Sequence, residues 1–333
     1  MRNRYFFITV DTEEDNWSTY HATENSVLNI QKIPYLQKLL DRYGARPTYF
    51  INYPVVRDAE SRKILEKIYR RGNCEIGMHI HPWNTPPFSC SPGKSSTISI
   101  RETLMCHQPA DLQEAKLKTQ FEAIGDFLGR PPVSFRCGRW ALGPDTAILI
   151  QRLGIRVDSS IVPEYNWKLY LNGLGPDFSS CRHEIYRFES PDIYTRNDHG
   201  DMLEVPPTVG YVQNFGKYVS AIRGKLQKKP WNSLHILGAL DKLRILNYQW
   251  LSPELSNTAD LIQVAKTMIA HGNTFLNVSL HSNSLIPGLN PFVRNEKDLL
   301  KLMSRIESLL LFARQNGMIF STIGEMADRY PRT

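Results

Sequence analysis

The feature that most constrains this chain is a rhythm. A stretch of helical period, a glycine and a short β-rich run recur along most of its length. Gly44, Gly72, Gly129, Gly154, Gly272 and Gly317 each stand between the two kinds of segment. Glycine suits the left-handed residue that commonly closes a helix, because it lacks the Cβ that makes this conformation costly. The β-rich runs are 4–10, 47–51, 75–80, 133–135, 156–158, 202–205, 274–280 and 318–322. The helical stretches are 30–43, 62–71, 111–128, 145–153, 258–271 and 296–315. Strands joined through helices lie parallel and are covered by those helices. The expectation is an α/β barrel of seven or eight mostly parallel strands, with residues 1–333 as a single domain.

A chain of 333 residues with 41% hydrophobic content can bury the core such a barrel needs. The net charge of +7 is spread along the chain and forms no long basic block, which argues against nucleic acid as a partner. Five cysteines, none in a C-x-x-C pair, fit a reduced compartment better than a disulfide framework. The opening MRNRYFFITVDTEED turns acidic after a short apolar run, and no later segment has the length of a membrane span. The expected location is the cytoplasm, extending to the inner face of the membrane.

Two stretches interrupt the rhythm. Residues 82–103, rich in Pro, Ser and Thr, read as a long loop directly after a strand, the usual place for substrate contacts on a barrel. The insertion at about 209–250 mixes aromatic and basic residues, with Arg223, Lys225, Lys228 and Lys229 close together. A peripheral membrane or lipid-carrier contact and a plain solvated helical face are both open readings of it. Oligomeric state is not readable.

The chemistry gathers at strand ends. Asp11 and Glu13 close the first β-run two residues apart, so both carboxylates point to one face, where one can hold a metal and the other take a proton from water. His79 and His81, in EIGMHIHPW, share that spacing at the third run. Two imidazoles and a carboxylate make the ligand set of a catalytic divalent ion with an open position. Arg136 in SFRCGRW can hold a carboxylate base ionised, and His281 in NVSLHSNS can protonate a leaving amine. Asp158, in RVDSS, either orients His281 or caps the next helix. Each residue alone also has a plainer reading, as a polar strand end or a surface ion pair. Their joint occurrence after separate strands favours the metal site.

In this order the motifs resemble those of the polysaccharide deacetylases, carbohydrate esterase family 4 with its nodulation-deacetylase homology domain. The family's aspartate motif is similar to Asp11 and Glu13, its histidine motif to His79, its arginine motif to Arg136, its second aspartate motif to Asp158, and its leucine-histidine motif to Leu280 and His281. Two departures stand out. Trp83 occupies the place of the second histidine in H-x-x-x-H, so His81 is expected to serve as the third ligand, with His107 in reserve. Cys137, Gly138, Arg139 and Trp140 stand where the family reads P-P-Y-G after the arginine.

The resemblance implies a distorted (β/α) barrel and a hydrolase acting on a non-peptide carbon–nitrogen bond. Glu13, His79 and His81 would hold a divalent metal ion, with Zn²⁺ preferred on ligand type, lowering the pKa of a water from about 16 toward ~7. Asp11 would act as base with Arg136 behind it, the Arg139 N–H would face the oxyanion, and protonated His281 would serve the departing amine. The implied substrate is an N-acylated sugar of a polysaccharide or glycolipid precursor, nucleotide- or lipid-linked if the location is cytoplasmic. Two alternatives stand beside it: hydrolysis of a small non-sugar amide or cyclic imide, and an inactive glycan-binding or scaffolding relative.

Overall fold

The computed structural model of the chain describes residues 3–88, 98–213, 226, 240, 245–330 and 332. Its strands are β1 (Tyr5–Thr12), β2 (Thr48–Ile51), β3 (Glu75–Ile80), β4 (Ser134–Cys137), β5 (Val157–Asp158), β6 (Tyr186–Phe188), β7 (Met202–Glu204), β8 (Val209–Tyr211), β9 (Tyr248–Trp250), β10 (Phe275–His281) and β11 (Ile319–Phe320). The helices are α1 (Ile33–Tyr43), α2 (Tyr53–Arg57), α3 (Ala59–Tyr69), α4 (Ala110–Leu128), α5 (Pro144–Arg152), α6 (Thr258–Ala270), α7 (Glu296–Gln315) and α8 (Met326–Arg329). All eight expected strands are present, while β6, β8 and β9, of three residues each, and the short α2 and α8 come in addition. The six punctuating glycines all have positive φ, between 62° and 92°. Helix ends are therefore set where the sequence rhythm placed them.

The main sheet runs β10-β1-β2-β3-β4-β5-β7-β6, with β11 also paired to β1. Every pairing is parallel except that of β6 with β7 at the edge. The curled sheet with its flanking helices is a distorted (β/α) barrel, and between β10 and the β7 side it closes without a ladder. Asn277 Nδ2 donates to the carbonyls of Val205 and Pro206 at 3.3 and 3.1 Å, the Asn277 N–H donates to Thr208 Oγ1 at 2.8 Å, and the Asn277 carbonyl accepts from the Thr208 N–H at 3.0 Å. The distortion lies in this seam, where side chains and irregular backbone replace a strand pair.

The pleat sorts the strands into two faces. Phe6, Ile8 and Val10 of β1, Ile76, Met78 and Ile80 of β3, and Leu276, Val278 and Leu280 of β10 join the core under the helices. The alternating residues Tyr5 and Phe7, with Phe50, Val157, Leu203, Val205 and Phe275, form a second, inner cluster that Ile323 and Met326 complete. Continuing along the inner face toward the strand ends, the residues become polar: Thr9, Asp11, His79, Arg136, Asn277 and Ser279 are buried. The barrel interior is thus plugged by aromatic and aliphatic side chains at one end and functionalised at the other, the C-terminal strand ends.

The antiparallel β8–β9 pair ties together the two ends of the 209–250 insertion. Arg223, Lys225, Lys228 and Lys229, read as either a membrane contact or a solvated helical face, lie outside the described residues. Among the described residues no helix is long and apolar enough to cross a membrane.

Candidate active site

Glu13, His79 and His81 converge on the inner face, all buried, with one donor atom of each within 4.8 Å of the others. Glu13 Oε2 lies 3.5 Å from His79 Nε2 and 3.3 Å from His81 Nε2. The remaining atom of each side chain is fastened from behind. His79 Nδ1 sits 3.0 Å from the Arg136 carbonyl, which can only accept, so Nδ1 donates to it and Nε2 is the nitrogen left facing Glu13. His81 Nδ1 lies 3.1 Å from both oxygens of Glu14, whose carboxylate also accepts from Asn52 Nδ2. Asn283 Nδ2 donates to Glu13 Oε1 at 3.2 Å, leaving Oε2 for the centre.

Three nitrogen and oxygen lone pairs aimed at one point, each oriented by an outer partner, fit a divalent cation. The electrostatics agree: burial alone would hold the Glu13 carboxyl neutral, but hydrogen bonding to His79 and His81 takes its pKa well below the usual carboxylate range. Burial opposes charge on His81, yet Glu14 and Glu13 outweigh it and push its pKa up to about 10. The pocket stabilises positive charge at this point.

Asp11 stands next to this group. Arg136, with no exposed surface, donates from Nη1 to Asp11 Oδ1 at 2.7 Å, from Nη2 to Thr9 Oγ1 and Ser159 Oγ at 2.9 Å each, and from Nε to the Ser159 carbonyl at 3.0 Å. Its guanidinium is sandwiched by Phe50 at 4.6 Å and Trp140 at 5.0 Å. Burial pushes Asp11 toward the neutral form, but Arg136, then His79 and His281, prevail and lower its pKa. A buried carboxylate kept ionised beside a candidate metal is equipped to accept a proton from water.

On the other side of Asp11, directly opposite it in the β1–β10 register, is His281. Its Nε2 is 3.9 Å from Asp11 Oδ2 and its Nδ1 2.9 Å from Glu254 Oε2. Glu254 Oε1 accepts from the His281 backbone N–H at 2.9 Å and from the Ser284 hydroxyl. Burial disfavours the imidazolium, but Glu254 first, then Glu13 and Asp11, raise the pKa of His281 to about 10. His281 is therefore an acid at neutral pH, with one nitrogen anchored and the other facing the cleft.

The structure corrects several expectations. Asp158 does not orient His281; Glu254 does. Val157, Leu203 and Val205 belong to the inner cluster, so Asp158 and Glu204, their chain neighbours, point to the outer face. Asp158 instead accepts from the Ser160 N–H at 3.0 Å and hydroxyl at 2.6 Å. It is Ser159, the inward residue, that reaches Arg136. His107, the reserve ligand, is absent from the Glu13–His79–His81 group and accepts a hydrogen bond from the Gly175 N–H at 3.2 Å. Trp83 is stacked on His81, centroids 4.0 Å apart and planes 22° apart, where it buttresses the imidazole. Arg139 lies in the cleft wall with left-handed φ of 55°, followed by Trp140 at 57°. Gly138 before them packs against His81, where a Cβ would come within 2.4 Å of the ring.

Sequence reasoning passed over Glu254, Glu14 and Asn283. Glu14 was visible as part of an acidic run, but nothing in that run distinguishes a buried histidine partner from a solvated loop.

The site opens into a cleft of about 460 Å³, lined among others by Trp17, Tyr20, Trp83, Trp140, Tyr165, Trp167, Trp250 and Phe292. All five tryptophans among the described residues line this one cavity. Trp250 on β9 carries the insertion into the wall, 5.3 Å from Trp140 and 6.3 Å from Trp167 between ring centroids.

No family model matches the sequence, and no curated protein matches it. Solved structures do match. A protein of Mycobacterium smegmatis, provisionally described as a polysaccharide deacetylase, aligns over 100% of this chain and 94% of its own, with a TM-score of 0.52 and 14% identity. A protein of Parabacteroides distasonis, provisionally described as a glycoside hydrolase/deacetylase, aligns over 98% of this chain and 70% of its own, with a TM-score of 0.59 and 12% identity. At such identities the likeness is one of fold, and the fold is that of the polysaccharide deacetylases.

Proposed function

We propose that this chain is a metal-dependent amide hydrolase that removes an N-acyl group, N-acetyl foremost, from an amino sugar of a polysaccharide or glycolipid precursor. One observation carries the reading: Glu13, His79 and His81 turn a lone pair each toward one point, with Asp11–Arg136 on one side and His281–Glu254 beyond it. A divalent ion held there, zinc by ligand type, supplies positive charge that acidifies a water and polarises an acyl carbonyl. Asp11, ionised by Arg136, takes the proton of the attacking water. His281 delivers a proton from Nε2 to the departing amine while Glu254 holds Nδ1. Arg139 offers its backbone N–H to the carbonyl oxygen as it gains charge.

The aromatic walls support a sugar over a small polar amide, since flat rings bind the apolar faces of pyranoses while leaving hydroxyls to water. We read the chain as one barrel domain working at the cytoplasmic side, on a nucleotide- or lipid-linked sugar. The test is release of free amine from N-acetylglucosamine oligomers and nucleotide-linked N-acetylglucosamine by the zinc-loaded protein. Turnover is expected, and His281→Ala should lower it by about 10²-fold or more. Wild-type protein that binds these sugars but releases no amine would make it a glycan-binding relative. Amine release from small amides or imides alone would move the substrate away from sugars.

A further inference from the structure

Among the described residues, Arg139 is a cation without an anion. Its Nη1 donates to the Tyr20 hydroxyl and to Thr103 Oγ1, the latter at 3.1 Å, and its guanidinium lies over the Tyr20 ring at 5.4 Å. Both hydrogen-bond partners are neutral, and among the described residues no carboxylate pairs with it. The Nε–Nη2 edge, the two-pronged side that fits a carboxylate or phosphate, has no hydrogen-bond partner among them either. The neighbouring Arg136 is the contrast: it spends Nε and both Nη atoms on Asp11, Thr9 and Ser159.

Arg139 is half-buried in the cleft wall, where an unpaired charge costs more than it would in open solvent. The backbone adds its own cost. Arg139 and Trp140 are consecutive non-glycine residues in the left-handed region, which the Cβ disfavours at each. The four carboxylates lining the cleft already have partners: Asp11 has Arg136 and Glu254 has His281, while Glu13 and Glu14 face the two histidines. Arg139 is thus the uncommitted charge of the cleft among the described residues.

We infer that Arg139 recognises an oxyanion on the substrate, so that the preferred substrate is an N-acyl sugar carrying a phosphate or carboxylate near the scissile amide. This rests on the deacylase reading and narrows it. Nη1, locked by Tyr20 and Thr103, sets the plane of the guanidinium, and the Nε–Nη2 edge receives the anion in two parallel hydrogen bonds. Arg139 is a specificity residue here through its side chain, separate from its backbone N–H.

The test is calorimetric binding to the zinc-loaded protein of N-acetylglucosamine, N-acetylglucosamine 1-phosphate and N-acetylglucosaminuronic acid, with amine release measured in parallel. Wild type is expected to bind at least one anionic sugar about tenfold or more tightly than the neutral one, the usual scale of a charge-assisted pair. The preferred anion tells phosphate from carboxylate. Arg139→Gln should abolish the preference, and Arg139→Lys, which keeps charge but loses the fork, should keep only part of it. Should Arg139→Gln fail to fold, as judged by thermal unfolding, the lysine variant alone must still lose affinity for the anionic sugar. Equal affinity for neutral and anionic sugars in wild type, or a preference that survives in both variants, overturns the assignment. Amine release without an anion preference would sink it while leaving the deacylase reading intact. An Arg139-dependent preference without amine release from any sugar would do the reverse.

Discussion

Two pairs of acidic residues sit at strand ends of this barrel, and their fates are opposite. Asp11 and Glu13 face the interior, each beside a cation or imidazole, and both pKa values are lowered. Asp158 and Glu204, paired directly across β5 and β7, face outward beneath the helices, and both are raised. For Glu204 burial is the leading cause and the Asp158 charge the next. Two buried carboxyl groups side by side resist ionising together, and the charge of Arg136 offsets this only in part for Asp158, so they keep a proton between them. A carboxylate at the end of a parallel strand is therefore not reactive by position alone. The face of the pleat on which it falls decides whether it meets Arg136 or another acid.

The sharpest way to break this comparison is to neutralise one member of each pair. Asp11→Asn should lower turnover by about 10²–10⁴-fold with zinc content unchanged, the usual range for a lost general base. Asp158→Asn should stay within a few-fold of wild type. Steady-state amine release decides, and equal losses in the two variants would show that the face of the strand does not divide their roles.

Glu254→Gln should have a smaller effect, about 10-fold to 10²-fold on turnover, as expected when a residue that orients a catalytic histidine is lost. It also carries a sign. Glu254 raises the pKa of His281 to about 10, and in the proposed mechanism His281 acts in its protonated form, so activity should be lost as pH rises through that value. Removing the carboxylate lowers the pKa, and the alkaline limb of the pH–rate profile should move to lower pH. An unmoved limb would mean that another group sets it.

The smallest effect is on stability. A carboxyl group whose folded pKa is raised stabilises the fold below its unfolded value, and that contribution is lost as pH climbs to the folded one. Glu204, with an ordinary value of 4.5, should make the melting temperature fall with rising pH from that point upward. Glu204→Gln gives Asp158 an amide donor in place of the shared proton, so the decline should flatten. Each kcal/mol changes the midpoint by about 2–4 °C in a large domain. Parallel pH–melting curves for variant and wild type would contradict the shared proton.

Much of this was legible in the sequence. The six glycines set the helix ends, and β-branched and aromatic runs marked eight of the eleven strands. The spacing of Asp11 with Glu13, and of His79 with His81, placed four polar side chains on one face. What escaped detection depends on contacts distant in sequence or too short to leave a period. β6, β8 and β9, of three residues each, stand outside the helix-and-glycine rhythm that marked even the shorter β5 and β11. Glu254 lies in the loop LSPELS, 27 residues before His281, and only the seam beside β10 brings the two together. The Asp158 assignment failed for a reason the pattern did contain: Val157 turns inward, so its neighbour cannot.

The central claim is that three side chains hold one divalent ion, and metal content measures it directly. Inductively coupled plasma mass spectrometry of the zinc-reconstituted protein should find about one ion per chain, lost from His81→Ala and retained in Asp158→Asn. A wild-type protein that takes up no divalent ion, or a His81→Ala variant that keeps its full complement, would contradict the site.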